Sequence, residues 1–536
     1  MKKWVLISII FTTFKLFAGV NPQTGNFFFT VQDYQKQCHQ MTLSIQRSYN
    51  SLYRQSGLFG KSWLSNLERK IIPVSNISLE LIEADGYVSQ FYLESLISDK
   101  EKSVDAIIKR KKNLDIEHTG NPKGNGDQHY SELKEKMLNE HDYFLTQLQR
   151  YQPNTITTNN SVFVSQDRKS STLSQHKNGF KRTFINGDTE EYNTNGELIL
   201  EKNRHNTFIR YIYNNGLLKT IRDSCGQYVN INYDKKNRIK SIQSSHNKTV
   251  HYSYDDQNIK NTLSRFTGMD GQSLNFKYDK FFRLTGIEFP SETIKIVYDQ
   301  NSGKVAEHHG PGKNKNSYTY TSYRGKNITR ITDEQKQSHS YTFIPAKNQS
   351  IYTAPDGTEQ IKTTLACCGK LSSIKDKKGQ GETYIYDKNK QNLIELQSTK
   401  DENVFYTYND IDLISSIQKG KTTLNINYNS EHLPKLIKKN NQTLVEADYD
   451  MHGDLLRVHD RTSDILIQRK NNGDIQQIQL KQNNQTYVVK IQYQHNDEIQ
   501  DKLFEPNSAQ TASIIEQEFN RLLNLLQLKP YLPNTS

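Results

Sequence analysis

Cysteine, tryptophan, methionine and proline are all scarce in this chain: its 536 residues hold 4 Cys, 2 Trp, 5 Met and 12 Pro. Four cysteines cannot be the main framework of so long a chain, which excludes a small disulfide scaffold. Twelve prolines and 27 glycines exclude a collagen. Long apolar runs are missing as well. Mean hydropathy is −0.82, and the apolar share of 34% lies below the usual ~45–50% of globular chains. A polytopic helical membrane protein is excluded, and no transmembrane segment is expected. Charge of one sign does not dominate in any stretch. Lys and Arg total 70 against 58 Asp and Glu, a net charge of +12. The basic residues are scattered, and runs such as Lys109-Arg110-Lys111-Lys112 and Lys438-Lys439 are short. They read as solubilising charge, with no specific nucleic-acid partner.

What is present is aromatic. The 31 Tyr and 22 Phe are more than a disordered chain carries. From Gly179 to about Gln500 the tyrosines recur roughly every 21 residues: Tyr192, Tyr213, Tyr233, Tyr254, Tyr278, Tyr298, Tyr320, Tyr341, Tyr386, Tyr408, Tyr428, Tyr449 and Tyr493. Two intervals, Tyr341 to Tyr386 and Tyr449 to Tyr493, are about twice the period and each hold one degenerate unit. Asp or Asn follows many of these tyrosines, as in Tyr233-Asp234, Tyr298-Asp299 and Tyr428-Asn429.

Apolar residues alternate before each tyrosine. Val229, Ile231 and Tyr233 share parity, as do Leu274, Phe276 and Tyr278, and Leu424, Ile426 and Tyr428. That period marks a half-buried antiparallel strand. Turn-formers follow, since Asp and Asn side chains bond nearby backbone amides. A second short apolar pattern comes next, such as Ile239-Lys-Ser-Ile242 or Leu284-Thr-Gly-Ile287. Each unit is therefore a strand, a tight turn and a return strand. About fifteen such hairpins exceed what a flat open sheet holds, so the sheet must twist and coil. Its apolar face needs a cover. The repeated tyrosines read as packing residues that stack across strands; sugar stacking on exposed aromatics is the sharper alternative.

The N-terminus reads as an export signal at residues 1–19. Lys2-Lys3 precedes an apolar stretch from Trp4 to Phe14, followed by Lys15-Leu16-Phe17-Ala18-Gly19. The mature chain is expected to begin after Ala18 or Gly19. An exported chain could pair Cys38 with Cys225, and the sequence leaves the pairing open. Vicinal Cys367-Cys368 lacks ligand spacing and nearby His, so no metal is expected there.

Chemistry-bearing motifs are absent: no G-x-S-x-G, no H-E-x-x-H, no Walker A. Gly310-Pro-Gly-Lys313 lacks the following Ser or Thr and reads as a turn. Asp448-x-Asp450-x-x-Gly453 begins like a calcium loop, but His459 stands where the closing Glu is needed. His308-His309 has no third ligand within reach. No catalytic, cofactor-binding or metal-binding residue is assigned, and no enzyme is expected.

The repeat unit resembles the tyrosine-aspartate (YD) repeats of rearrangement hot spot (Rhs) proteins, teneurins and the C components of insecticidal toxin complexes. The resemblance extends upstream, where Asn21-Pro22-x-Thr24-Gly25-Asn26, Arg47-Ser48-Tyr49-Asn50-Ser51, Gly57-Leu58-Phe59-Gly60-Lys61-Ser62-Trp63 and Ala84-Asp85-Gly86 look like the domain that precedes Rhs repeats. It covers residues 20–95 and about 179–500. It implies an all-β fold: a long antiparallel sheet of YD-repeat hairpins coiled into a partial or complete shell, with short helical additions. In that family the shell often encloses a C-terminal toxin released at an Asp-Pro site. This chain contains no Asp-Pro dipeptide, so no protease role passes to any residue, and the segment after Gln500 is expected to hold no toxin.

Two segments lie outside the repeats. Residues 96–178 read as a polar insertion, with a loop at 120–126 and a helix over about Ser131–Tyr151. Residues 501–536 read as a tail with an amphipathic helix over Ser508–Leu528, capped by Ser508 and ended by Lys529-Pro530. Its stripe of Ile514, Ile515, Phe519, Leu522, Leu523 and Leu526 needs a partner surface, for which the repeat sheet is the first choice. The functional expectation is an exported, non-enzymatic scaffold or container for a separate toxin, effector or partner chain. The alternative is a cell-surface adhesin or envelope structural protein, with a surface ligand that includes carbohydrate.

Overall fold

The protein is described by a computed structural model covering residues 17–119, 126–151, 160–165, 171–310, 314–365, 369–387, 392–495, 500–504, 509–529 and 532. Most of the export signal, Cys367-Cys368 and most of the 120–126 loop lie outside the described residues, as does most of the Gly310–Lys313 turn.

The repeats form one antiparallel sheet in chain order, from Val162–Val164 to Gln500–Phe504. Three earlier strands, Lys70–Ser75, Val88–Leu93 and Ser78–Ile82 between them, join the same sheet through pairing of Val88–Leu93 with Val162–Val164. The strand order closes on itself as a barrel. The chain is thus all-β in architecture, a hairpin repeat curled into a shell.

One repeat shows why the sequence folds this way. Tyr228–Tyr233 pairs with Ile239–Ser244, placing Ile231 opposite Ile242 and Tyr233 opposite Ile239. The register shifts between Asn232 and Tyr233, so Lys240 has no opposite residue. This bulge answers a puzzle in the sequence. The apolar residues of the return strand are three apart, not two, yet Ile239 and Ile242 are both fully buried. One extra residue restores the inward direction of both. The same shift precedes Tyr254, Tyr278, Tyr298, Tyr386, Tyr408, Tyr428 and Tyr449.

The turn is held by its first residue. Asp234 Oδ1 accepts from the backbone N–H of Lys236 (2.8 Å) and Arg238 (3.0 Å). Asp279, Asn429 and Asp450 do the same in their own turns. The third residue past the Asp or Asn takes a positive φ: Asn237 59°, His432 63°, Gly453 80°. Asn and Gly suit that conformation, and the side-chain cap supports the others.

The tyrosine hydroxyl closes the unit. Tyr233, Tyr254, Tyr320, Tyr386, Tyr408 and Tyr449 each donate to the carbonyl of the residue 15 positions earlier, at the start of the preceding return strand. Tyr298 and Tyr428 reach 14 back, to Leu284 and Ile414. The tyrosine therefore packs and also ties each hairpin to the one before it.

Within residues 96–178 the structure is more helical than the sequence reading. Helices span Lys100–Thr119, Gly126–Asn139 and His141–Tyr151. The helix expected over 131–151 is divided at Glu140, and a further helix, Lys100–Thr119, precedes it. Its charge run hides a narrow stripe whose Val104 and Ile107 are buried beside Met137, Phe144 and Leu148.

Candidate functional site: the lined interior and its junction

The inner apolar face of the sheet is covered by two different devices. Over the early repeats lies a four-stranded unit built from Phe17–Val20, Phe27–Cys38, Met41–Asn50 and Trp63–Ser65. Phe29, Tyr49 and Trp63 are fully buried. Trp63 meets the Phe276 ring edge-on at 5.4 Å, and Phe59 meets Tyr252 at 5.0 Å. Trp63 Nε1 donates to the Tyr278 hydroxyl at 3.0 Å, so this repeat tyrosine serves the cover instead of a neighbouring carbonyl.

A charge pair sits at the centre of that core. Arg47 Nε donates to Asp33 Oδ2 at 2.7 Å, and both side chains are fully buried. The Arg47 guanidinium lies 4.6 Å from the Trp63 ring and 4.8 Å from that of Phe266. Burial raises the Asp33 carboxyl, opposed by Arg47 and by the Tyr252 hydroxyl that donates to it at 2.8 Å. The arrangement has no access to solvent and fixes the register of cover on sheet. Glu68 is similar. Burial pushes its carboxyl up to about 7, against the Leu58 N–H that it accepts at 3.0 Å.

Over the late repeats lies the helix Ala509–Leu526, packed on Gln442–Tyr449, Leu455–His459, Ile475–Gln482 and Gln485–His495. Ile515, Leu522 and Leu526 are buried. Arg521 donates to Asp460 Oδ2 at 2.7 Å, anchoring the polar edge.

Between the covers, the full burial seen on either side is missing among the described residues. The first core ends near Ile331 and Tyr341, and the second begins near Leu371 and Ile374. The strands Ser338–Ile344, Gln349–Thr353 and Glu359–Thr364 hold no buried residue. An aromatic group occupies this stretch. Tyr341 stacks with Phe343 at 6.5 Å and meets Tyr352 at 5.2 Å, while His339 lies 5.8 Å from Tyr352.

The early and late repeats also meet, at a junction of turns. His205 Nε2 lies 2.6 Å from Asp454 Oδ2, and Arg204 pairs with the same carboxylate. The His205 and His452 rings are 5.0 Å apart. The tip of the N-terminal hairpin enters the junction, with His39 Nδ1 3.0 Å from Asp474 Oδ2. Cys38 and Cys225 are disulfide-bonded, with Cα atoms 5.8 Å apart. Burial pushes the nearby Asp223 carboxyl up, against the N–H groups of Gln227 and Cys225 that it accepts. The sequence offers the Cys38–Cys225 pair as one possibility, but gives no sign of His39, His205, Asp454 and Asp474 beside it, because these are turn residues of separate repeats and no local spacing links them.

His308 is buried against Phe27 at 5.5 Å, and burial lowers its pKa. His309 lies 3.3 Å from Glu307 on the same strand. Asp450 spends one oxygen on capping its own turn, as the equivalent residues do in other repeats. No described helix is long and apolar enough to cross a membrane.

Residues 18–91 match the family model described as a domain of unknown function, DUF6531. No curated protein matches the chain. Among solved structures, it is similar to the Photorhabdus luminescens Tc holotoxin pore with a substituted TccC3 (TM-score 0.43, 10% identity, 91% of this chain and 26% of that one). It is also similar to TcdB2-TccC3 without its hypervariable C-terminal region (TM-score 0.44, 10% identity, 91% and 28%) and to TcdB2-TccC3 itself (0.43, 10%, 91% and 27%). The chain therefore spans about a quarter of the length of the solved chains it resembles.

Proposed function

We propose that this chain is an exported, non-enzymatic shell that encloses or presents a separate partner chain, such as a toxin or effector. The observation that carries the reading is the gap between the two covers. The sheet's inner face is closed by the N-terminal unit on one side and by a helix on the other, and between them Tyr341, Phe343 and Tyr352 are left half-buried. An aromatic wall next to two finished cores offers apolar area to a third segment. The resemblance of the repeats to shells that hold toxins, and the likeness to Tc components in fold, agree with this use.

The test is affinity purification of the full chain from its native host, with mass spectrometry of what accompanies it. A stoichiometric partner is expected, and a double substitution Tyr341→Lys with Tyr352→Lys should release it while the shell stays folded. Recovery of the chain alone, or of a partner indifferent to that pair, overturns the proposal. N-terminal sequencing checks export: a mature protein retaining Met1 would exclude it.

A further inference from the structure

The hairpin of Phe27–Cys38 and Met41–Asn50 turns at His39 and Gln40, and its tip touches two distant parts of the sheet at once. On one side Cys38 is bonded to Cys225, in the turn that follows the strand Leu217–Asp223. On the other side Gln40 Nε2 donates to the carbonyl of Gly473 at 2.9 Å, and His39 meets Asp474 and Asn472. The approach depends on a glycine. A Cβ on Gly473 would lie 2.4 Å from Gln40 Nε2 and 2.9 Å from the His205 ring, and the residue has φ +84°. His205 completes the circuit through Asp454. Early turns, late turns and hairpin tip thus share one cluster, and its contacts across the junction come from side chains.

We propose that this tip is a redox-released clasp: the Cys38–Cys225 bond holds the early and late repeats together at their junction, and its reduction lets the junction open. The bond spans 187 residues of sequence, so no short connection keeps the tip on the 223–227 turn once it breaks. What would remain at the tip itself is Cys38 Sγ beside Ser224 Oγ at 3.4 Å and His39 facing Asp223, while Met41–Asn50 stays packed on Leu217–Asp223 further up the hairpin. On the late side His39 is partly exposed while its partner Asp474 is buried, and neither that pair nor the Gln40 contact ties the tip covalently to the late turns. Cys225 is half-buried whereas Cys38 is buried, so an incoming thiolate reaches the Cys225 sulfur first. In the reaction a dithiol attacks that sulfur, the S–S bond breaks, and a mixed disulfide forms. The second thiol of the reductant then displaces Cys225. The protein gains two electrons and two protons as two thiols, and the reductant ends as a disulfide. Opening is confined to the tip, because Phe29 and Val31 of the same hairpin remain fully buried in the early core. The inference holds whether or not the shell carries a partner.

The experiment is amide hydrogen exchange on the full chain, oxidised and after dithiothreitol, with thiols counted by mass spectrometry. A chelator is included, because Cys38, His39 and Cys225 place ligand atoms within 4.8 Å of one another and a metal could replace the bond. Reduction should speed exchange about tenfold at 203–206, 450–454 and 470–474, leave 338–353 unchanged, and be reversed by reoxidation. Cys225→Ser should show the fast pattern without reductant. If that variant does not fold, reduced and alkylated native protein supplies the same reading. Gly473→Ala should open the late side alone with the disulfide intact. Unchanged exchange after verified reduction would make the bond a static staple and overturn the proposal. Uniform acceleration over the whole chain, or absence of the bond in oxidised protein, would overturn it too.

Discussion

The early and late repeats are built from the same unit and end in different surroundings. Tyr254 and Tyr428 make the same bond, to the carbonyls of Ile239 and Ile414, at 2.6 and 2.8 Å. Yet the early face meets a β-unit with Phe29, Tyr49 and Trp63 at its centre, while the late face meets one helix through Ile515, Leu522 and Leu526. The middle strands Ser338–Ile344, Gln349–Thr353 and Glu359–Thr364 hold no buried residue. A repeat therefore specifies a surface, and the cover decides how much of it leaves water. The early cover is held by aromatic edges and a buried ion pair, which fix one register. The late cover is a mostly aliphatic stripe whose polar edge is anchored by Arg521 on Asp460.

The comparison breaks most sharply at Trp63. Trp63→Ala removes a fully buried ring and the donor to Tyr278, so a loss of about 3–5 kcal/mol is expected in the early repeats. Exchange-resolved denaturation should show the late repeats keeping their stability, since distant repeats unfold partly independently. A uniform loss would mean that both halves are one cooperative unit. Leu522→Ala, fully buried in the helix, should cost about 2–4 kcal/mol, confined to the late repeats. Deletion of 508–536 should add dye binding and self-association, and a silent monomer would show that the helix is dispensable.

Glu68 gives the early half its own pH dependence. The folded pKa is raised from 4.5 to about 7, so the folded state favours the protonated form. Stability from this group is complete below pH ~4.5 and falls as pH rises through about 7, by up to roughly 3 kcal/mol. Glu68→Gln should flatten that slope in thermal melts between pH 5 and 8. An unchanged slope would assign it elsewhere.

Smaller effects sharpen the repeat itself. Tyr254→Phe and Tyr428→Phe each leave a carbonyl without its hydroxyl donor, at about 0.5–1.5 kcal/mol. The Arg238 guanidinium stacked on the Tyr254 ring at 4.1 Å stays over the Phe ring, so the two losses should be similar. Ser253→Ala, on the exposed face, should change the midpoint by less than about 0.5 kcal/mol. Equal effects of Tyr254→Phe and Ser253→Ala would refute the tie between hairpins.

Much of the repeat was legible because its signals are local. Alternation before Tyr233 and an Asp at the turn act within a few residues, so strand and turn could be read directly. The bulge was visible only as an unexplained spacing, Ile239 to Ile242. The hydroxyl bond escaped notice because its acceptor lies 15 residues back, in another hairpin. The helix Lys100–Thr119 was hidden because tertiary packing on Met137 and Phe144 stabilises a stripe too thin to stand out. The junction of His39, His205, Asp454 and Asp474 left no signal, since it joins turns more than 200 residues apart.

By itself, then, the amino-acid sequence determined an all-β chain of hairpins with one apolar face, because side-chain alternation and Asx turns act over short distances. Only the tertiary structure decided which part of that face is covered, by what, and where the two ends of the coil meet. Those outcomes depend on the accumulated twist of many strands and on close approach of residues such as Gly473 and Gln40, which no single repeat encodes.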